Sequence, residues 1–261
     1  MSAAACNLSG SSRAPPRRAA RLHQQRIWQM LEIMMNRSGI RVFLVAALLA
    51  FAPTWQASVR GQQAQPQQER RPTSTPYSGD LSIFESPDRD KKLEIDRVMD
   101  LLKIAPGKTV ADIGAGSGWF TVRAARRVGP IGTVYAEDIN TDAIKYIETR
   151  AKKENLANIR TVLGVPDDAR LAPDTVDAVL MLKVYHEIAK PEEFMRRLRD
   201  SLKPGALVGI IDRNGNGSGT DHGLPQKVIE REMSEAGFKR VGVYDFTKKD
   251  GQDYFLIFRV R

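Results

Sequence analysis

Asp112, Gly114, Gly116, Gly118 and Asp138 are the residues of this chain whose types and spacing could do chemistry. The three glycines alternate within VADIGAGSGWF, Val110 to Phe120. Each costs backbone entropy that another residue would save, so three in one turn need a reason. A ligand lying against bare main chain supplies one, because a side chain at 114, 116 or 118 would block it. Asp112 stands two residues before the first glycine, and Asp138 lies 20 residues after the last. A carboxylate there, at the end of a second strand, can accept from both hydroxyls of a ribose. Two common nucleotide loops do not fit. A dinucleotide G-x-G-x-x-G/A turn would need Gly or Ala at Trp119 or Thr121. No G-x-x-x-x-G-K-[ST] run exists, which excludes a phosphate-cradling NTPase loop.

The elements that must position these residues can be read from hydrophobic spacing. Asp88 to Ile104 places Leu93, Val98, Leu101 and Leu102 at helical intervals and stops at Pro106-Gly107. Strands are expected at 109–113, 132–138, 159–164, 176–182 and 207–211. Helices are expected at 119–128, 141–154, 191–202 and 226–236, with Asn140 or Thr141 capping the second of these and Pro191 in the first turn of the third. Strands at 239–246 and 254–260 close the chain, joined by the turn signal TKKDGQD. Repeated strand–helix alternation implies a parallel sheet covered on both faces. The final pair turns one strand antiparallel. The expected fold is therefore α/β, a doubly wound, mostly parallel sheet with helices on both faces, binding its ligand at the carboxyl ends of the strands.

Composition divides the chain. The formal net charge is +9 over 261 residues, yet residues 1–79 hold ten arginines, no lysine and two acids. The remaining 182 residues carry 30 basic and 29 acidic side chains, so the globular part is nearly neutral and a nucleic-acid partner is not expected. Residues 1–39 read as a basic disordered extension, with Met34 or Met35 as an alternative start. Residues 40–58 contain the 11-residue apolar run Val42–Ala52, flanked by Arg37 and Arg41. That run is short for a transmembrane helix, which takes about 20 residues, and it suits a signal peptide or short membrane anchor. Residues 59–80, rich in Gln, Pro, Ser and Thr, read as a linker. The domain proper is expected at 81–261. An exported (periplasmic) protein, or one held at the inner membrane through 40–52, follows if the leader is real, and a cytoplasmic one if it is not. Cys6 is the sole cysteine and there are three histidines without metal-ligand spacing, so no metal is expected.

VADIGAGSG, VYAEDIN, VDAVLMLKVYHEI and SLKPGALVGIID, in that order, resemble the successive motifs of the class I S-adenosylmethionine-dependent methyltransferases, most closely the small-molecule type. The resemblance covers about Phe84 to Val260 and implies a seven-strand sheet with a reversed last strand, S-adenosyl-L-methionine as cofactor and a small-molecule methyl acceptor. It implies that Asp112 orients the turn and reaches the amino-acid part of the cofactor. Gly114 and Gly116 would lie under it with Gly118 beside it, Asp138 would hold the ribose, and Ile139 would pack on adenine. The family often has Asp where this chain has Val165, so Asp168, or Asp167, is the expected acceptor for the adenine amine. KVYHEI makes His186 the candidate base and Tyr185 the candidate for orienting the acceptor. Arg89 could reach the cofactor carboxylate, and His222 stands in a Gly-rich segment that could cover the acceptor. Trp119 and Phe120 read as helix-to-sheet packing. A non-catalytic cofactor-binding module and a nicotinamide-dependent oxidoreductase remain the alternatives. The segments expected to shape the acceptor site, 77–97 and 213–224, match nothing that names a substrate.

Overall fold

The structure is a computed structural model and describes residues 77, 79–215 and 223–261. These belong to one compact unit, Pro66–Arg261. The expected leader, the 40–52 segment, Cys6 and His222 lie outside the described residues. Among the described residues no helix is long and apolar enough to cross a membrane.

Seven strands form one sheet: β1 (Thr109–Ile113), β2 (Thr133–Asp138), β3 (Ile159–Leu163), β4 (Val176–Leu182), β5 (Leu202–Asp212), β6 (Phe238–Tyr244) and β7 (Tyr254–Val260). Their spatial order is β3-β2-β1-β4-β5-β7-β6. The first five pair in parallel, and β7 runs antiparallel between β5 and β6. Strand order reverses between β1 and β4, which opens a crevice at the carboxyl ends of those strands.

Alternation along each strand sorts side chains to the two faces. Val110, Ala178, Leu180 and Phe255 pack with α1 (Arg89–Leu93), α2 (Ile95–Leu101), α3 (Trp119–Val128) and α4 (Thr141–Lys153). Ala111, Val179, Met181 and Leu256 pack with α5 (Pro191–Asp200) and α6 (Gln226–Glu235). Asn140 caps α4 by accepting from the Asp142 N–H at 2.8 Å.

Two elements differ from the sequence expectation. The helix expected over 88–104 is two helices, broken at Glu94, whose φ is +51°. In one continuous helix Leu93 and Ile95 would project about 200° apart; with the break both are buried in the same core cluster. β5 begins at Leu202 rather than 207, because Val176 already pairs with Leu202 and the ladder resumes at Ala178–Leu207. The Pro204-Gly205 turn signal is absorbed in that irregularity, with Gly205 at φ +82°.

Candidate active site

The crevice at the switch point is a cavity of about 730 Å³, a size suited to a cofactor-scale ligand with a second molecule beside it. Its floor is the β1–α3 turn. Gly114, Gly116 and Gly118 have φ of +66°, +55° and +71°, a left-handed region that L side chains rarely adopt. At Gly114 space is closed as well, since a Cβ would stand 2.3 Å from Val184 Cγ2. The turn is glycine-rich chiefly because its backbone winds the wrong way for other residues, which lets peptide edges face the cavity.

Three carboxyl groups gather at the ends of β1 and β2, brought together by the register Asp112–Ala136 and Ile113–Glu137. Asp138 accepts from the Gly116 N–H at 2.8 Å and, through its other oxygen, from the Asn140 N–H at 2.9 Å. Burial raises its pKa, and these backbone donors oppose the rise. Each oxygen keeps lone-pair capacity for a hydroxyl. Asp112 is buried and accepts from Thr121 Oγ1 at 2.6 Å; burial outweighs that bond and pushes its pKa up to about 7. Ile139 lines the cavity and is 42% exposed.

Glu137 was not singled out by the sequence. It lines the cavity, 2% exposed, with Oε2 accepting from the Gly114 N–H at 3.3 Å and Oε1 buried without a hydrogen-bond partner among the described residues. Burial and then the charge of Asp138 push its pKa up to about 8, so at neutral pH it is a neutral acid. Gly164 makes room for it: a Cβ there would lie 1.8 Å from Oε1. The signal available in the sequence was a second acid beside Asp138 in VYAEDIN.

Four expectations are corrected by the geometry. Asp167 and Asp168 do not line the cavity. Asp167 pairs with Arg197 of α5 at 3.1 Å, and Asp168 accepts from the Arg170 N–H at 2.7 Å, so both carboxylates turn away from an adenine edge. Tyr185 is fully buried in the core beneath α5 and α6 and does not reach the cavity. His186 does line it, but not as a free base. Its Nδ1 lies 2.9 Å from both oxygens of Asp212, and its Nε2 lies 3.1 Å from Glu187 Oε1. Burial alone would lower the imidazole pKa; the two carboxylates outweigh it and hold it up at about 9. In this arrangement His186 is an imidazolium at neutral pH and has no lone pair to take a proton.

Arg89, the residue expected to reach the cofactor carboxylate, lies at the cavity. It is 8% exposed, lines the cavity, donates to the Phe84 carbonyl at 2.9 Å and lies over the Trp119 ring at 4.6 Å. Trp119 and Phe120 are buried against the sheet as expected. Among the described residues no group of His, Cys, Asp and Glu is arranged to hold a metal ion.

Residues 110–205 match a family model described as a methyltransferase domain. An arsenite methyltransferase of Halobacterium salinarum is 29% identical over 109 residues, 42% of this chain and 28% of that protein. A ubiquinone/menaquinone biosynthesis C-methyltransferase of Citrobacter koseri is 28% identical over 117 residues, 44% of this chain and 46% of that protein. The chain thus spans less than half the length of these relatives. In shape it is similar to a SAM-dependent methyltransferase from Aquifex aeolicus, with a TM-score of 0.61, 23% identity, and coverage of 69% of this chain and 97% of that one. A positive-φ glycine turn, an acid closing β2, and a reversed seventh strand agree with these matches: residues 110–205 carry a methyltransferase domain, and the fold is that of the Rossmann-like methyltransferases.

Proposed function

We propose that the protein transfers a methyl group from S-adenosylmethionine to a small-molecule acceptor held in the same cavity. The observation that carries this reading is the Asp138 carboxylate, fixed by the amides of Gly116 and Asn140 at the rim of the glycine turn. Those bonds aim its free lone pairs at the place where a ribose diol would lie. The bound cofactor supplies a sulfonium methyl open to displacement by a nucleophile in line with it. The chain supplies position: Asp138 on the sugar, Ile139 on the adenine face, Asp112 and Arg89 at the amino-acid end. Holding two reactants in line accounts for much of the acceleration such a displacement needs. With Tyr185 in the core and His186 held as a cation, no side chain of the notional pair removes a proton from the acceptor. That favours acceptors that are already nucleophilic when they bind.

Titration calorimetry with S-adenosylhomocysteine tests the site. Asp138→Ala should weaken binding about tenfold or more, the size of losing charge-assisted hydrogen bonds. Unchanged affinity, or tighter binding of NAD than of S-adenosylhomocysteine, would overturn the reading. Release of S-adenosylhomocysteine across a panel of phenols, quinone precursors, amines and thiols tests turnover; binding without turnover on any of them would favour the non-catalytic module.

A further inference from the structure

The two sides of the cavity carry different polar groups. Its β1–β2 side carries Asp112, Glu137 and Asp138, and its β4–β5 side carries Lys183 and Arg213 beside the His186–Asp212–Glu187 cluster, with Arg89 of α1 near them. The β1–β2 side offers acceptors to a cofactor that is itself cationic at sulfur and amine. The cofactor leaves the Lys183 ammonium, on the other side, without a use.

Lys183 stands out there. It follows the last residue of β4 and has φ +61°, a left-handed conformation costly for a lysine. Its N–H bonds to the Ile211 carbonyl at 2.9 Å, so the strained backbone is pinned to β5 with its side chain lining the cavity. The nearby carboxylates are already engaged: Asp212 and Glu187 by His186, and Asp250 by Arg89 at 3.4 Å. Among the described residues no carboxylate lies within ion-pairing distance of the Lys183 ammonium, and it shares this space with Arg89 and Arg213. Lys183 is exposed where it lines the cavity, and an ammonium with no carboxylate beside it is open to an anionic group of a ligand. Burial pushes its pKa down, Arg89 adds to that and Asp250 opposes it, and Arg213 and Asp212 follow with smaller effects of opposite sign.

We propose that Lys183 is the anchor for an oxyanion on the methyl acceptor, so that the substrates are small organic acids bearing a carboxylate or comparable anionic group. This rests on the reading of the cavity as a cofactor-and-acceptor site, and it adds what that reading leaves open, the chemical class of acceptor. An anionic group placed on Lys183 would gain a charge-assisted contact there and face the methyl donor across the cavity.

The test uses matched probes, benzoate with benzamide and 3,4-dihydroxybenzoate with its amide, titrated into the full chain saturated with S-adenosylhomocysteine. Wild type should bind at least one carboxylate about tenfold more tightly than its amide, as expected for a charge-assisted contact. Lys183→Met should cut that preference to about threefold or less, and Lys183→Arg should retain most of it. S-adenosylhomocysteine itself should bind all three proteins alike, and matching melting temperatures would show that the variants fold. Absence of a carboxylate preference in wild type, or its survival in Lys183→Met, overturns the proposal. So does a large loss of S-adenosylhomocysteine affinity in Lys183→Met, which would assign the lysine to the cofactor's own carboxylate. Failure of wild type to bind S-adenosylhomocysteine at all would instead strike the proposed function beneath it.

Discussion

His186 Nδ1 sits 2.9 Å from each carboxylate oxygen of Asp212, a residue 26 positions further along the chain at the end of β5. Both groups are buried at the cavity wall. The second ring nitrogen meets Glu187, so the imidazole is held between two anions. Asp212→Asn keeps the shape and removes one of those charges. The His186 titration, followed by NMR of the ring, should sit near 9 in wild type and fall by about one unit or more in the variant. An unshifted titration would mean that the pair is not formed in solution.

Three buried groups tie stability to pH in one direction. Asp112 and Glu137 titrate at about 7 and about 8 in the fold, above the ordinary carboxylate range. The folded state therefore holds protons that the unfolded chain has lost, and stability falls as pH rises from about 4 to 8. His186 is raised to about 9, so its contribution is complete below its unfolded pKa of about 6.5 and is lost as pH rises through 9. The melting temperature should fall steadily from pH 5 to pH 9. Glu137→Gln should flatten the lower part of that slope and make the variant more stable than wild type at pH 8. A flat profile in wild type would show that these groups are not buried as described.

What the sequence made legible was what short-range backbone rules control. The glycine turn, the acid after β2 and the Asn140 cap are set by neighbours within a few residues, and each stands where expected. The TKKDGQD turn told of an antiparallel pair, and that pair puts β7 between β5 and β6. Asp167 and Asp168 misled because a carboxylate's direction depends on its distant partners, here Arg197 of α5. Tyr185 follows the end of β4 with His186 next to it, yet the Tyr185–Glu187 turn sends the tyrosine into the core and leaves the histidine at the cavity. Periodicity carries no signal for a single 3₁₀ turn of that kind. Glu137 escaped notice because its meaning depends on Gly114 and Gly164, contributed by the ends of two other strands.

Gly164 and Glu137 should therefore be coupled. Gly164→Ala alone forces its methyl group into the Glu137 carboxyl, from a notional 1.8 Å, and overpacking of this kind costs about 1–3 kcal/mol. Glu137→Ala empties the same space. In a double-mutant cycle read by urea unfolding, Gly164→Ala should cost at least about 1 kcal/mol less in the Glu137→Ala background than in wild type. Additive costs would show that the two residues do not meet.

The segment before α2 covers the glycine turn and is held there by one polar cluster. Glu85 accepts from Ser117 Oγ at 2.7 Å and pairs with Arg150 of α4, whose guanidinium also donates to the Ser117 carbonyl at 3.1 Å. Phe84 lies over Gly116, where an added Cβ would meet its ring at 3.6 Å. The cluster is partly buried, so its bonds are less screened than a surface pair. Any ligand on the turn must share this covering segment. Arg150→Met removes the Glu85 pair, the Ser117 bond and a further bond to Glu154 at 2.8 Å, and leaves most of the apolar stem in place. Hydrogen exchange of residues 81–93 should then speed up several-fold, with β1 and β4 unaffected. S-adenosylhomocysteine should slow exchange of that segment in wild type and bind the variant several-fold more weakly, since binding must order what the ion pair had already fixed. Equal exchange in both proteins would mean that Phe84 and Arg89 hold the cover without the help of Glu85.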